Sequence, residues 1–492
     1  MAETVREIER KYEAVDGAGP ARLPDLTRAE PVAGVRDRGV VELDAVYYDT
    51  ADRRLLAAGV TLRRRTGGSD AGWHLKLPVA PGVRDEVRAP LTAAARVPRA
   101  LAALVRSRVR ETPLVPVARI ATRRDVSELV DADGAVLAEV AVDAVTVGEG
   151  DDAWTEVEVE LAEGAGPELL DALEPHLREG GLRPARAGSK LARALGALAA
   201  AKAVPPVDAG GHVLAYVREQ VEAVVALDPG ARRGTEDAVH QMRVATRRLR
   251  SAFRTYGKVL DRRVTDPLGA ELRWLAGELG VDRDREVLVA RLRERLGELP
   301  RVLVRGPVRA RLRVWSVRNR VEARRRLTAV LDGPRYLALL DALDVLVADP
   351  PLRAGAARSP EKVLAKAVRR DYGRLSARVE HALATDPGPE RDAALHDARK
   401  AAKRARYAAE AAAPALGKDA RRLVKRMKAV QTVLGDHQDS VLARGALRAI
   451  AAQAEGAGES AFTYGVLYGR EEARAGEDER ALPGVWGEGV GA

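Results

Sequence analysis

The hydrophobic period of this chain changes once, near residue 204, and that switch limits the folds open to it more than any other feature. From Val5 to about Leu161 apolar and polar residues repeatedly alternate, as in Val5 to Tyr12, Val60 to Arg65, Trp73 to Leu77 and Trp154 to Leu161, which is the pattern of half-buried strands. Asp133-Gly134 predicts a hairpin turn and Gly67-Gly68-Ser69-Asp70 another loop between strands, so an antiparallel sheet or barrel is expected. Helical spacing follows over Leu169 to Leu177 and from Leu191. The run Val204-Pro205-Pro206-Val207-Asp208-Ala209-Gly210-Gly211 then breaks the pattern. Beyond Gly211 long Ala, Leu, Arg and Glu segments keep a 3.6-residue period to about Arg474. The expected organisation is an α+β domain over 1–203, a linker at 204–211, an all-α domain over 212–475 and a flexible tail over 476–492.

The helical half repeats itself. His240-Gln241-Met242-Arg243 through Arg250 matches His396-Asp397-Ala398-Arg399 through Arg406 at an offset of 156, and Leu279-Gly280 through Asp284 matches Leu434-Gly435 through Asp439 at 155. Two helical repeats related by a pseudo-twofold axis are expected. On a helix His240, Arg243, Arg247, Arg250 and Arg254 fall within an arc of about 80°. His396, Arg399, Lys403 and Arg406 repeat that stripe, with Glu410 in place of Arg254. A basic helix face is commonly just solvated surface, but its duplication suggests two stripes lining one positive channel suited to a linear polyanion.

Composition narrows the partners. The 492 residues carry 82 basic against 72 acidic side chains, a net charge of +10 that favours polyanions. Aromatic residues make up 3%, which disfavours nucleic acid, since single-strand binders stack bases on exposed rings. With no cysteine, thiolate metal sites and cysteine nucleophiles are excluded. The N-terminus is charged from its third residue and the apolar stretch Leu191 to Val204 is interrupted by Arg193 and Lys202, so a cytoplasmic protein without a membrane partner is expected. Oligomeric state is not legible.

Within the first domain Glu7, Glu9 and Lys11 alternate along one strand and therefore share a face, and Glu156, Glu158 and Glu160 repeat the device, with Asp143 on the strand between. Carboxylates this dense repel one another unless a cation intervenes, and a hard divalent ion such as Mg²⁺ or Mn²⁺ does so most directly. Arg63, Arg65, His74, Lys76, Arg84, Arg119, Arg123, Arg124 and Lys190 supply the opposite charge. Solvent faces of strands are the plainer reading of each motif alone. Together they suit a phosphate chain held by cations and a metal ion.

The segment Glu7-Ile8-Glu9-Arg10-Lys11 resembles the E-x-E-x-K signature of the CYTH family, the triphosphate tunnel metalloenzymes. Tyr47-Tyr48-Asp49-Thr50, Leu62-Arg63-Arg64-Arg65 and Trp73 to Lys76 follow in that family's order, and the match spans about residues 3 to 200. The resemblance implies a β-tunnel in which Glu7, Glu9, Asp143, Glu156, Glu158 and Glu160 bind metal, while Lys11, Arg63, Arg65, Lys76, Arg84, Arg124 and Lys190 hold phosphates. Glu7, Glu9 and Lys11 would carry catalysis. Arg119 and Arg123 are open, because both parities of Arg119 to Asp125 carry arginine and only one can face inward. The family includes inorganic triphosphatases, thiamine triphosphatases and class IV adenylyl cyclases; with few aromatics near the site, inorganic triphosphate is the simplest substrate.

The duplicated H-x-x-R-x-x-x-R/K-x-x-R pattern, over about residues 210 to 475, resembles the CHAD domain, a helical module associated with polyphosphate binding. That resemblance implies polyphosphate contacts from His240, Arg243, Arg247, Arg250, His396, Arg399, Lys403 and Arg406, and association with polyphosphate granules. The expected function is metal-dependent triphosphate hydrolysis beside a polyphosphate-binding module; the alternative is a non-catalytic polyphosphate-binding or targeting protein.

Overall fold

A computed structural model describes residues 3–15, 23–92, 94–148, 152–197, 205–235, 237–317 and 320–487, with no side-chain description over 281–286, 316, 317, 320 and 321. It divides into two compact units at Ala203/Val204.

The first unit is a closed antiparallel ring. Its strands are β1 (Glu3–Ala14), β2 (Gly34–Asp49), β3 (Thr61–Thr66), β4 (Gly72–Ala80), β5 (Val83–Pro90), β6 (Val115–Val130), β7 (Val136–Val147), β8 (Ala153–Leu161) and β9 (Leu182–Pro184). They run in the order β5-β4-β3-β2-β6-β7-β8-β1, and β1 returns to β5 to close the circuit. Closure relies on β1 working both edges: Glu3 to Ile8 pair with β5, Glu9 to Glu13 pair with β8, and β9 takes the edge opposite Tyr12 to Ala14. The loop at Gly67 requires glycine, since φ is +83° and a Cβ there would lie 2.0 Å from the carbonyl oxygen of Glu42.

Packing of the ring is inverted relative to an ordinary sandwich. The outer face carries much of the apolar core. Val140, Val157, Val159 and Leu161 are buried with Leu169, Leu173 and Leu177 of α4 (Glu168–Glu179), and Leu62, Trp73, Leu75 and Val87 with Leu101 and Leu104 of α2 (Arg99–Leu104) and Val109 of α3 (Arg106–Val109). The inner face is mostly charged. At one end it turns apolar, where Ala45, Tyr47, Ile120 and Val145 pack with Leu191 of α5 (Lys190–Ala194) and fill the interior. A short helix, α1 (Arg54–Ala57), follows β2, and buried Asp49 accepts hydrogen bonds from the backbone N–H groups of Leu55 and Leu56 at 2.9 Å. The Tyr-x-Asp-Thr segment thus fixes a turn.

The second unit is helical: α6 (Ala209–Arg233), α7 (Ala238–Thr255), α8 (Arg262–Glu278), α9 (Gly280–Gly297), α10 (Val308–Val317), α11 (Arg320–Asp332), α12 (Pro334–Ala348), α13 (Pro360–Ala384), α14 (Pro389–Leu416), α15 (Lys418–Gly456) and α16 (Phe462–Gly487). The repeat motifs fall on α7 and α14 and at the start of α9 and the middle of α15. One core joins α6, α7, α8, α12, α13 and α14; another joins α13, α14, α15 and α16. Among the described residues no helix is long and apolar enough to cross a membrane.

Two expected boundaries change. Residues 209–211 of the expected linker form the first turn of α6, capped by Asp208, whose carboxylate accepts from the Gly211 N–H at 2.7 Å. Residues 476–487 of the expected flexible tail are helical, and only 488–492 lie outside the described residues. Glycine and Pro483 argue against a helix there, yet Leu482 and Trp486 are buried against Leu375 and Met427, and Trp486 stacks on Tyr372 with ring centroids 5.6 Å apart. Tertiary burial outweighs local propensity. Accordingly Trp486→Ala should cost about 3 kcal/mol, read as a lower midpoint in denaturant unfolding, and ending the chain at Ala475 should cost more.

Candidate functional site: a charged β-barrel interior and a basic helical cluster

The ring encloses a cavity of about 390 Å³. Strand parity decides what faces it. Glu7, Glu9 and Lys11 of β1 point inward with Glu158 and Glu160 of β8, Arg124 of β6, Arg63 and Arg65 of β3, Lys76 of β4 and Arg84 of β5. The register of β6 settles the arginine ambiguity. Arg124 faces in and donates to both Asp143 oxygens at 2.8 and 2.6 Å, while Arg119 and Arg123 face out to Asp44 and Glu42 at 2.8 and 3.8 Å.

Six carboxylates expected to share metal binding separate into two groups. Asp143, Glu156 and Glu158 converge on the ammonium of Lys190, at 2.8, 2.8 and 2.7 Å, and Arg124 adds a bond to Glu158 at 2.5 Å. Burial alone would lower the Lys190 ammonium, but Glu158, Glu156 and Asp143 override it and hold the charge well above the ordinary lysine range. The second group is Glu7, Glu9 and Glu160: burial raises Glu7 and Glu160, whereas Lys11, Lys76 and Arg84 hold Glu9 below its ordinary value against its burial. Lys76 lies 2.6 Å from Glu7 and Lys11 3.4 Å from Glu9, while the buried Oε1 of Glu9 accepts no hydrogen bond and has Arg84 at 3.8 Å. Burial raises Glu160 to about 7; Lys76 opposes the shift and Glu7, Glu9 and Glu158 reinforce it.

Several cavity residues escaped the sequence reading. Glu86 is 1% exposed, pairs with Arg88 and accepts from His74 Nδ1 at 2.9 Å; the cationic neighbours, with the His74 hydrogen bond, outweigh burial and keep its carboxyl well below the usual range. Alternation of Arg84, Glu86 and Arg88 carried that signal. Tyr47 places its hydroxyl 3.4 Å from Arg63, and Glu139 lines the cavity by sharing the parity of Asp143. His74 is a structural member, held between Glu86 and the Asp70 carbonyl, and burial lowers it to about 4.

In the helical unit α7 packs on α14, and Arg247 of the first repeat and Lys403 of the second come close enough to repel. Burial first, then Arg399 and Arg247, lower Lys403 to about 7. Arg250 is lowered similarly by burial and by Arg273, Arg254 and Arg247. The two stripes therefore form one positive cluster. The repeated glycines sit beside these arginines: a Cβ at Gly280 would lie 2.9 Å from Nη2 of Arg243, so that the guanidinium would have to shift, whereas one at Gly435 would make an ordinary contact of 3.6 Å with Nη2 of Arg399. Each arginine lies against a helix backbone. Arg399 also approaches Asp439 at 3.9 Å, Arg406 pairs with Glu410 at 3.2 Å, and half-buried His396 hydrogen-bonds Gln438. His240 occupies the first turn of α7; the side chain of Asp284 lies outside the described residues.

Lys190→Met leaves three buried carboxylates facing one another, so it should destabilise the chain by about 3 kcal/mol or more at neutral pH. The deficit should shrink as the pH falls toward 5 and protons replace the ammonium. Thermal melting across pH checks both points.

Comparison with known proteins accords with this division. The CYTH domain family matches residues 6–194 and the CHAD domain family residues 215–448. Two uncharacterized proteins of Mycobacterium tuberculosis, MT2285 and Rv2226, are each 40% identical over 488 residues, covering 94% of this chain and 92% of their own. The crystal structure of the CHAD domain from the plant Ricinus communis aligns with a TM-score of 0.47 at 24% identity, covering 58% of this chain and 94% of that one. The chain belongs to the family that joins an N-terminal CYTH domain, with its triphosphate tunnel fold, to a C-terminal CHAD domain.

Proposed function

We propose that the β-barrel hydrolyses inorganic triphosphate with a divalent cation and that the helical unit binds polyphosphate. The observation carrying this reading is the cavity itself: carboxylates of β1 and β8 stand across from Arg63, Arg65, Lys76 and Arg124. Arginine forks and lysine charge suit phosphate oxygens. Glu7, Glu9 and Glu160 would hold Mg²⁺ or Mn²⁺, as the Glu9 oxygen that accepts no hydrogen bond, with only Arg84 near it among the described cations, at 3.8 Å, and the raised Glu7 and Glu160 carboxyls leave room for a further positive charge. When bound, such an ion polarises phosphoryl oxygens and lowers the pKa of coordinated water. Lys11, between Glu9 and Glu158, neutralises oxygens on the carboxylate side, and Arg63 with Tyr47 orients the opposite end of the chain. Lys190 serves as counter-ion to Asp143, Glu156 and Glu158 more than as a phosphate ligand, its ammonium being surrounded by all three.

That same lysine favours a second reading. With the triad already compensated by Lys190 and Arg124, the tunnel could hold a phosphate ligand without turning it over, and the protein would act as a polyphosphate-binding or targeting factor.

Phosphate release from inorganic triphosphate with Mg²⁺ or Mn²⁺ separates the two. Glu7→Gln with Glu9→Gln should reduce release to the buffer background. No release from the intact chain, with polyphosphate still bound, would select the binding reading.

Polyphosphate affinity should also weaken as the pH rises through about 7, because Lys403 then loses its charge. The sign follows from linkage: the bound polyanion holds a proton that the free channel gives up above that pH. Lys403→Arg keeps the charge and should flatten the profile between pH 6 and 8.5, as measured by titration calorimetry.

A further inference from the structure

The inward cations of the barrel differ in where their anions come from. Lys76 meets Glu7 of β1 at 2.6 Å and Arg124 meets Asp143 of β7 at 2.6 Å, and both carboxylates are strand residues with side chains 2% and 0% exposed. Arg65 of β3 is different. Its own side chain is 6% exposed, but among the described residues its carboxylate partner is Asp70, which sits in the loop between β3 and β4 with a side chain 35% exposed. Arg65 and Asp70 both line the cavity. We propose that Asp70 is a resident counter-anion: it occupies Arg65 in the free protein and yields the guanidinium to a phosphate group that enters, so that it sets the affinity of the barrel for phosphate. Asp70 can have this role only if the barrel takes phosphate, as proposed for it.

Three features favour exchange at Arg65. The first is that one side chain has to move. The loop backbone is pinned at both ends, since a Cβ at Gly67 would lie 2.0 Å from the Glu42 carbonyl oxygen and one at Gly72 would lie 2.8 Å from that of Ala89. Between them the carbonyl oxygen of Asp70 lies 2.9 Å from Nε2 of His74. The carboxylate can therefore turn toward water while the main chain stays in place. The second is the cost of release. A displaced Asp70 is hydrated at the surface, whereas Glu7 or Asp143, if displaced, would be a buried charge without a partner. The third lies in the guanidinium. Asp70 engages Nη2, and the buried Nε donates no hydrogen bond, so the arginine is not saturated by its carboxylate. A phosphate group offers the same forked oxygens with more charge and can replace a carboxylate on an arginine.

An aspartate that merely positions Arg65 would have the opposite consequence. Removing a competitor tightens phosphate binding, and removing a support loosens it, so the sign of the change separates the two roles.

Titration calorimetry of the full chain with inorganic triphosphate in EDTA, where metal-dependent turnover is absent, reads that sign. Arg65→Gln identifies the barrel's binding class as the one it weakens, with binding by the helical unit as a background common to all variants. Asp70→Asn should tighten that class about fivefold, the scale of a partly exposed ion pair. Asp70→Ser, which also removes the charge, should tighten it as well and guards against a defect peculiar to one variant; far-UV circular dichroism checks the fold of each. An Arg65-dependent class that is unchanged or weaker in both folded Asp70 variants would overturn the proposal and leave Asp70 as a support for Arg65. If Arg65→Gln weakens no class, the phosphate reading of the barrel itself fails and the role of Asp70 with it, a result distinct from the first.

Discussion

Charge compensation inside a closed sheet governs the first unit. Once β1 pairs with both β5 and β8, the inner face has far less access to bulk water, and Coulomb interactions across it strengthen. Every carboxylate placed there must find a cation or a proton. Asp143, Glu156 and Glu158 find Lys190 and Arg124, Glu86 finds Arg88, and Glu160 holds its proton to about 7. The apolar residues that would ordinarily fill a barrel instead line its outside beneath α2, α3 and α4. A ring with a charged interior folds because that outer layer supplies the burial.

In the helical unit duplication replaces closure. Two copies of one motif meet where α7 crosses α14, and residues from both crowd their charges until Lys403 is lowered to about 7. Like charges this close oppose folding, and the cores around α6 and α15 offset the repulsion. Gly280 gives the Arg243 guanidinium room beside the start of α9, and Gly435 stands at the equivalent place beside Arg399.

Much of this was legible in the sequence, and the exceptions have physical causes. Period-two alternation exposed the strands and the E-x-E-x-K face, since side-chain direction in a strand depends only on parity. Where both parities carry the same residue type, as from Arg119 to Asp125, pattern alone could not choose, and pairing with β7 was needed to turn Arg124 inward. Glu86 was overlooked beside Arg84 because its partners, Lys76 and His74, come from the adjacent strand. The resemblance assigned Lys190 to phosphate; its three carboxylate neighbours come from two strands distant in sequence, which the pattern alone could not bring together. The helix through Pro483 was missed for a related reason: what holds it is Tyr372 and Met427, more than fifty residues away.

One further property follows from Ala45, Tyr47, Ile120, Val145 and Leu191 filling one end of the barrel. A ring open at both ends could be threaded, and a long polymer could be gripped anywhere along its length. A ring stopped at one end is a blind socket. On the proposed reading a linear guest would enter such a socket tip first, so the unit among the inward cations would be a terminal one, however long the remainder outside.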